Sequence, residues 1–269
     1  MRLKFPRLAL GHLIWGHSDR LNCRPASLSV SPSRSYGKCS RGMKIGASPM
    51  RVTMPVAMLV LAGVIAAPFV PLAGVAAAER PVRIVALGDS LTAGFGLPGK
   101  DAFPAQLQRA LAAKGTEVEI ANAGVSGDTT TGGLARLDWS VPDGTDAVIL
   151  ELGANDALRG FDPAVPRKAL DTMLRRLAER KIPVLLCGML APPNLGAEYG
   201  RAFNAIYPEL AARYGAILYP FFLDGVAADP KLNQGDGLHP TTAGVAAIVE
   251  KIMPQVEQLI ARAKASERS

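Results

Sequence analysis

Ser90, Asp236 and His239 have the types and spacing that nucleophilic acyl transfer needs. Ser90 ends the turn Gly88-Asp89-Ser90 directly after an apolar run, where a tight turn can hold its hydroxyl clear of a strand end. Asp236 and His239 are three residues apart in Asp236-Gly-Leu-His239-Pro240. One turn of chain at that spacing can bring a carboxylate onto the imidazole Nδ1–H and leave Nε2 free for a serine. Taken alone, a turn serine or a loop Asp/His pair is more often structural. The distribution of histidines shifts that balance. His12 and His17 lie near the N-terminus, so His239 is the one imidazole in the remaining chain, and any imidazole chemistry there must use it.

A serine nucleophile also needs donors for the oxyanion. The Ser90 amide, the Gly124 amide and the Asn155 side chain are the expected suppliers, Gly124 because a substrate oxygen can approach a backbone without Cβ closely. Asn155 read alone is equally a helix N-cap. Asp89, Asp128 and Asp156 read as supporting residues that cap helices or brace loops. No residue has metal-ligand company and the histidine count excludes a His-rich centre, so no metal and no other cofactor is expected. Gly94-Phe-Gly96-Leu-Pro-Gly99 fits the G-x-G-x-x-G pattern of dinucleotide sites, with Glu117 and Glu119 about twenty residues on. The pattern sits wrongly for that role. Gly94 lies six positions beyond Gly88, and both glutamates fall at or near the start of the second strand rather than its end. A nucleotide-binding protein is therefore the remote alternative, and a loop with its next helix capped at Asp101 is the expectation.

The first 78 residues need separate treatment. Residues 52–78 contain no charge, and a compact apolar run at 56–67 follows Met50-Arg51 and precedes Pro68, Pro71 and Ala76-Ala-Ala78. That order is a secretory signal, with cleavage expected near Ala78 and a periplasmic or secreted product; a retained anchor is the rival reading. Residues 1–49, with nine Lys/Arg and Asp19 as the one acid, read as a basic disordered extension or as a mis-assigned start ahead of Met43 or Met50. The 30 basic and 23 acidic residues of the chain become 20 and 22 from Glu79 onward, a formal charge of −2. The high isoelectric point belongs to the leader, and no nucleic-acid partner is implied. Cys187 is the single thiol after the leader, so residues 79–269 have no internal disulfide and must be stabilised by their own core.

From residue 82 short apolar runs alternate with helical patterns. Strands are expected at 82–87, 118–121, 147–152, 184–189 and 216–221, mostly continuous apolar runs of the kind covered on both faces of a parallel sheet. Cys187 falls inside the fourth and reads as a buried strand thiol. Helices are expected at 163–181 and 240–264, the second kinked or broken at Pro254. This is one α/β domain, and ligands of open parallel sheets bind beyond the carboxyl ends of the strands. The loops after strands one, two, three and five carry Ser90, Gly124, Asn155 and the Asp236–His239 pair, all on one rim.

Gly88-Asp-Ser90-Leu, Gly124 within Asn-Ala-Gly-Val-Ser-Gly-Asp-Thr-Thr, Gly153-Ala-Asn155-Asp156 and Asp236-Gly-Leu-His239 resemble, in order, the four blocks of the SGNH (GDSL) hydrolases. Each block alone is weak; four in order at strand ends are specific. The resemblance spans about residues 81–259 and looks closest to the bacterial periplasmic branch of arylesterases, acyl thioesterases and lysophospholipases. It implies a flavodoxin-like three-layer α/β/α sandwich with a five-stranded parallel sheet of order 2-1-3-4-5. It also implies Ser90 as nucleophile, Asp236–His239 completing a triad, Gly124 and Asn155 as oxyanion donors, and a small acyl ester or thioester as substrate. Contact with lipid would be transient, and no obligate protein partner is implied. A carbohydrate O-acetyl esterase or acyltransferase of the same fold is the serious alternative. The apolar, proline-rich segment 190–199 is expected to form part of the acyl pocket.

Overall fold

Five apolar runs pair side by side because each needs cover on two faces and only a parallel sheet between helical layers supplies it. The computed structural model describes residues 80–267; the leader and signal readings lie outside the described residues. The strands are β1 (Val82–Gly88), β2 (Val118–Gly124), β3 (Ala147–Glu151), β4 (Val184–Cys187) and β5 (Ile217–Tyr219). They form one parallel sheet in the order β2-β1-β3-β4-β5, as the family resemblance implied. β3 and β4 are buried at every position, whereas β2, at the edge, is mostly half-exposed.

The helices are α1 (Ser90–Ala93), α2 (Phe103–Ala113), α3 (Thr130–Ala135), α4 (Leu137–Ser140), α5 (Ala154–Leu158), α6 (Ala164–Glu179), α7 (Ala197–Asn204), α8 (Ile206–Tyr214) and α9 (Thr242–Glu267). α2 packs on α9, while α3, α6 and α8 pack together, which gives the three layers. α6 buries Ala169, Leu170, Met173, Leu174 and Leu177, the three-and-four spacing of a core-facing stripe.

Of the kink or break expected at Pro254, the break is excluded, since α9 runs through it for 26 residues. The proline is exposed while Ile252, Met253, Val256 and Leu259 face the core, so the carbonyl that loses its amide partner lies toward water. Asp101 does not cap α2. It lies in a short 3-10 turn, Gly99–Asp101, and α2 starts after Ala102 with Pro104 in its first turn, where a missing N–H is harmless.

Candidate active site

The carboxyl ends of the strands carry the site. Ser90 opens α1 straight after β1, and Asp89 caps that helix by accepting the Leu91 amide at 3.0 Å. His239 arrives from the loop between β5 and α9. Its Nε2 lies 2.9 Å from Ser90 Oγ and its Nδ1 lies 2.6 Å from Asp236 Oδ2. The other oxygen of Asp236 accepts the amides of Leu238 and His239 at 2.9 and 3.0 Å. These bonds, the His239 amide first, hold the Asp236 carboxyl well below the ordinary carboxylate range. One short loop therefore supplies an ionised carboxylate, the imidazole it orients, and the turn that fixes both.

The glycine-rich segment after α1 serves this loop rather than a phosphate. The amides of Gly94 and Phe95 are both taken by Ser90 O and that of Leu97 by Gly94 O, so no row of free donors remains. Gln234 stitches the two loops together, its Nε2 donating to Phe95 O and Pro240 O while its amide donates to His239 O. The Phe95 ring stands 4.5 Å from the imidazole of His239, covering its flank. The nucleotide-binding reading fails on these contacts.

Gly124 departs from its expected role. Its amide donates to Asn122 Oδ1 at 3.0 Å, and a Cβ there would meet the backbone of Ala93 at 2.3 Å. Glycine is required because β2 passes against α1, and its N–H is already spent. Three residues on, the Gly127 amide has no acceptor among the described residues. Asn155 Nδ2 donates to the carbonyl of the adjoining Asp128 at 2.9 Å and to Asp89 Oδ2 at 3.0 Å. Gly127 thus stands beside the Asn155 amide with a free donor. Its sequence signal is the Ser126-Gly127-Asp128 turn, three residues beyond Gly124. Asn155 is not the N-cap of α5; Gly153 is, at φ 121°, where a Cβ would also strike the Tyr207 hydroxyl.

The supporting acids separate clearly. Asp156 is buried and accepts Thr130 N at 2.9 Å and Thr130 Oγ1 at 2.7 Å, which ties α5 to the start of α3. Asp128 pairs with Arg136, whose guanidinium also donates to Ala123 O, Ser140 Oγ and Gly88 O. Arg136, unmarked in the sequence, therefore clamps the ends of β1 and β2. Beneath Ser90 lies Glu151, wholly buried, its Oε2 accepting Thr92 Oγ1 at 2.7 Å and the Asp89 amide at 3.4 Å. Its Oε1 has no partner among the described residues. Burial, with the nearby charge of Asp89, pushes the Glu151 carboxyl well above its ordinary range. Burial likewise pushes Asp89 up to about 6, against the pull of the Leu91 and Asn155 hydrogen bonds. Glu151 had one sequence signal, an acid closing an otherwise apolar strand. Cys187 is buried in β4, as expected.

A cavity of about 450 Å³ opens beside Ser90 and His239, with Leu158, Met189, Leu190, Pro192, Phe221 and Leu238 among its walls. The expected wall segment contributes through residues 190–193, whereas Tyr199 turns away to donate to Phe161 O. Among the described residues no cluster of His, Cys, Asp or Glu could hold a metal ion.

A serine, an imidazole and a carboxylate in hydrogen-bonded series, at the strand ends of a five-stranded parallel α/β sheet, define the class of serine hydrolases in which acyl transfer occurs on a flavodoxin-like frame. The chain belongs to the GDSL-like lipase/acylhydrolase family, which its residues 86–247 match. It is 41% identical over 166 residues to an arylesterase of Vibrio mimicus, covering 61% of this chain and 83% of the relative. It is 36% identical over 178 residues to thioesterase 1/protease 1/lysophospholipase L1 of Escherichia coli strain K12, covering 66% and 84%. Among solved structures it is similar to AlinE4, an SGNH-hydrolase family esterase, with 48% identity, a TM-score of 0.58, and coverage of 68% of this chain and 98% of that one.

Proposed function

We propose that the protein hydrolyses carboxylic esters and thioesters of small and fatty acyl groups through an acyl-enzyme on Ser90. The observation that carries this reading is the continuous series Ser90 Oγ, His239 Nε2, His239 Nδ1, Asp236 Oδ2 at the mouth of an apolar cavity. His239 takes the Ser90 proton as Oγ attacks the acyl carbonyl, and Asp236 steadies the imidazolium. The Ser90 amide at the open end of α1, the Gly127 amide and the Asn155 side chain receive the oxyanion. In the resting site both Asn155 hydrogens are engaged, so the oxyanion shares the one that Asp128 O accepts. His239 then protonates the leaving alcohol or thiol, and a water repeats the sequence to release the acid.

The names of the relatives support aryl esters, acyl thioesters and lysophospholipids as the substrate class. The apolar cavity favours an acyl chain over a glycan acetyl group. The signal-like segment 50–78 supports export, with cleavage near Ala78 and action outside the cytoplasm. Ser90→Ala is expected to lower p-nitrophenyl ester hydrolysis by on the order of 10³ or more. Full activity in that variant removes Ser90 from the mechanism. A panel of C2 to C16 p-nitrophenyl esters, phenyl acetate, palmitoyl-CoA, lysophospholipid and acetylated xylan tests the substrate class, and exclusive deacetylation of the glycan overturns it.

A further inference from the structure

Large apolar side chains left in water are unevenly placed on this molecule. Of the eight among the described residues, Phe95, Val125, Leu158, Phe161, Leu190 and Leu238 lie on segments that leave the carboxyl ends of the strands. The other two, Trp139 and Val165, belong to α4 and α6. Four of the six stand at the mouth of the site, and the other two lie on neighbouring segments that Arg159 ties together through Gly127 O. Leu158, Leu190 and Leu238 border the same cavity as Ser90 and His239, and Phe95 leans on the His239 ring. Val125 begins the turn that presents Gly127, and Phe161 follows on the far side of Arg159. The collar is held in place: Val125 N donates to Gly88 O, Phe161 N to Asp156 O, and the Tyr199 hydroxyl to Phe161 O. An apolar collar of this kind around a catalytic mouth is the signature of a surface that meets something apolar.

We propose that this rim is a lipid-docking surface that seats the enzyme on aggregated single-chain phospholipid and lets the acyl chain pass from the aggregate into the cavity without crossing water. The proposal rests on the reading of Ser90 as an acyl-transfer nucleophile, and it adds the physical state of the substrate. Two observations choose lipid over a protein partner. The collar is centred on the cavity mouth, so a protein seated there would close the route that the substrate must use. Within the collar stands Arg159, exposed, with one guanidinium nitrogen held by Gly127 O at 2.9 Å and the rest of the group directed at no acceptor among the described residues. A cation at that level complements the phosphate of a lipid headgroup while the neighbouring side chains enter the acyl boundary.

Phe161 belongs to the collar but borders neither the cavity, the triad nor the Gly127 turn, so it tests docking apart from chemistry. The Ser90→Ala protein, which cannot consume the lipid, is expected to co-sediment with phosphatidylcholine vesicles doped with lysophosphatidylcholine. Adding Phe161→Ser should weaken that binding by on the order of tenfold, because the apolar area available for insertion shrinks. With Ser90 intact, Phe161→Ser should hydrolyse soluble p-nitrophenyl acetate at the unmodified rate and micellar lysophosphatidylcholine on the order of tenfold more slowly. Equal vesicle binding with and without Phe161→Ser overturns the proposal. So does a dimer in solution that Phe161→Ser converts to monomer, which would assign the rim to a second copy of the chain. Failure of the acyl-transfer reading shows separately, as ester hydrolysis that survives Ser90→Ala.

Discussion

Asp236 on one side of Ser90 and the Asp89–Glu151 pair beneath it are carboxylates set to opposite purposes. Asp236 is 37% exposed, accepts two amides and an imidazole, and is held ionised. Glu151 is wholly buried, accepts a hydroxyl and one long amide bond, and is pushed toward its neutral form. Asp89 lies between these extremes, buried but holding both the Leu91 amide and the Asn155 side chain. The difference is one of donors and water, since the acids themselves are alike. An ionised acid with donors on it can steady a developing imidazolium. A neutral acid in an apolar floor can only shape what lies above it.

The sharpest break of that contrast is Asp236→Asn. The amide keeps an acceptor for the Leu238 and His239 backbone but presents either no charge or the wrong donor to Nδ1. Single-turnover hydrolysis should fall by on the order of 10³ to 10⁴ while the melting temperature barely moves. An activity loss of less than about tenfold would show that the carboxylate orients nothing essential.

The hydrogen-bonded series of Ser90, His239 and Asp236 was legible because its signals are local in sequence: a turn serine after a strand, a single histidine beyond residue 78, an acid three residues before it. The sheet was legible for the same reason, since both-face burial writes apolar runs. Arg136 and Gln234 were not, because their contacts exist only after loops distant in sequence meet. Arg136 acts on carbonyls at residues 88 and 123. Gln234 joins a loop 139 residues away. Gly124 and Gly127, three residues apart, look alike in sequence until the first is seen with its amide taken by Asn122.

Arg136 offers the middle-sized test. It sits on the polar bracing that the buried floor lacks, with its side chain 15% exposed and donating to Asp128, Ser140 and two backbone carbonyls. Arg136→Ala leaves those acceptors unpaired and should cost about 3 kcal/mol in urea unfolding. Arg136→Lys should recover little, since one ammonium cannot span acceptors that a planar fork reaches. Near-complete rescue by lysine would reduce the clamp to a simple charge pair.

The smallest expected effect is the most specific to the floor. Because Glu151 has a folded value raised above its ordinary 4.5, the folded protein keeps a proton that the unfolded chain releases. The stability attached to that proton is fully present below pH 4.5 and is lost as pH rises through the raised value. Asp89, raised from 3.8 to about 6, runs in the same direction between those two values. Asp236, held low, loses its contribution only in strong acid and leaves the neutral range untouched. Glu151→Gln imitates the neutral form and still offers Thr92 and the Asp89 amide an oxygen, so soluble-ester turnover should change by less than about threefold. Its unfolding free energy should gain on the unmodified protein as pH rises from 5, at no more than about 1.4 kcal/mol per pH unit, levelling off once the natural glutamate ionises. A difference that stays constant from pH 5 to 9 would mean that the floor is charged throughout. The two sides of Ser90 would then differ in position alone and not in chemical state.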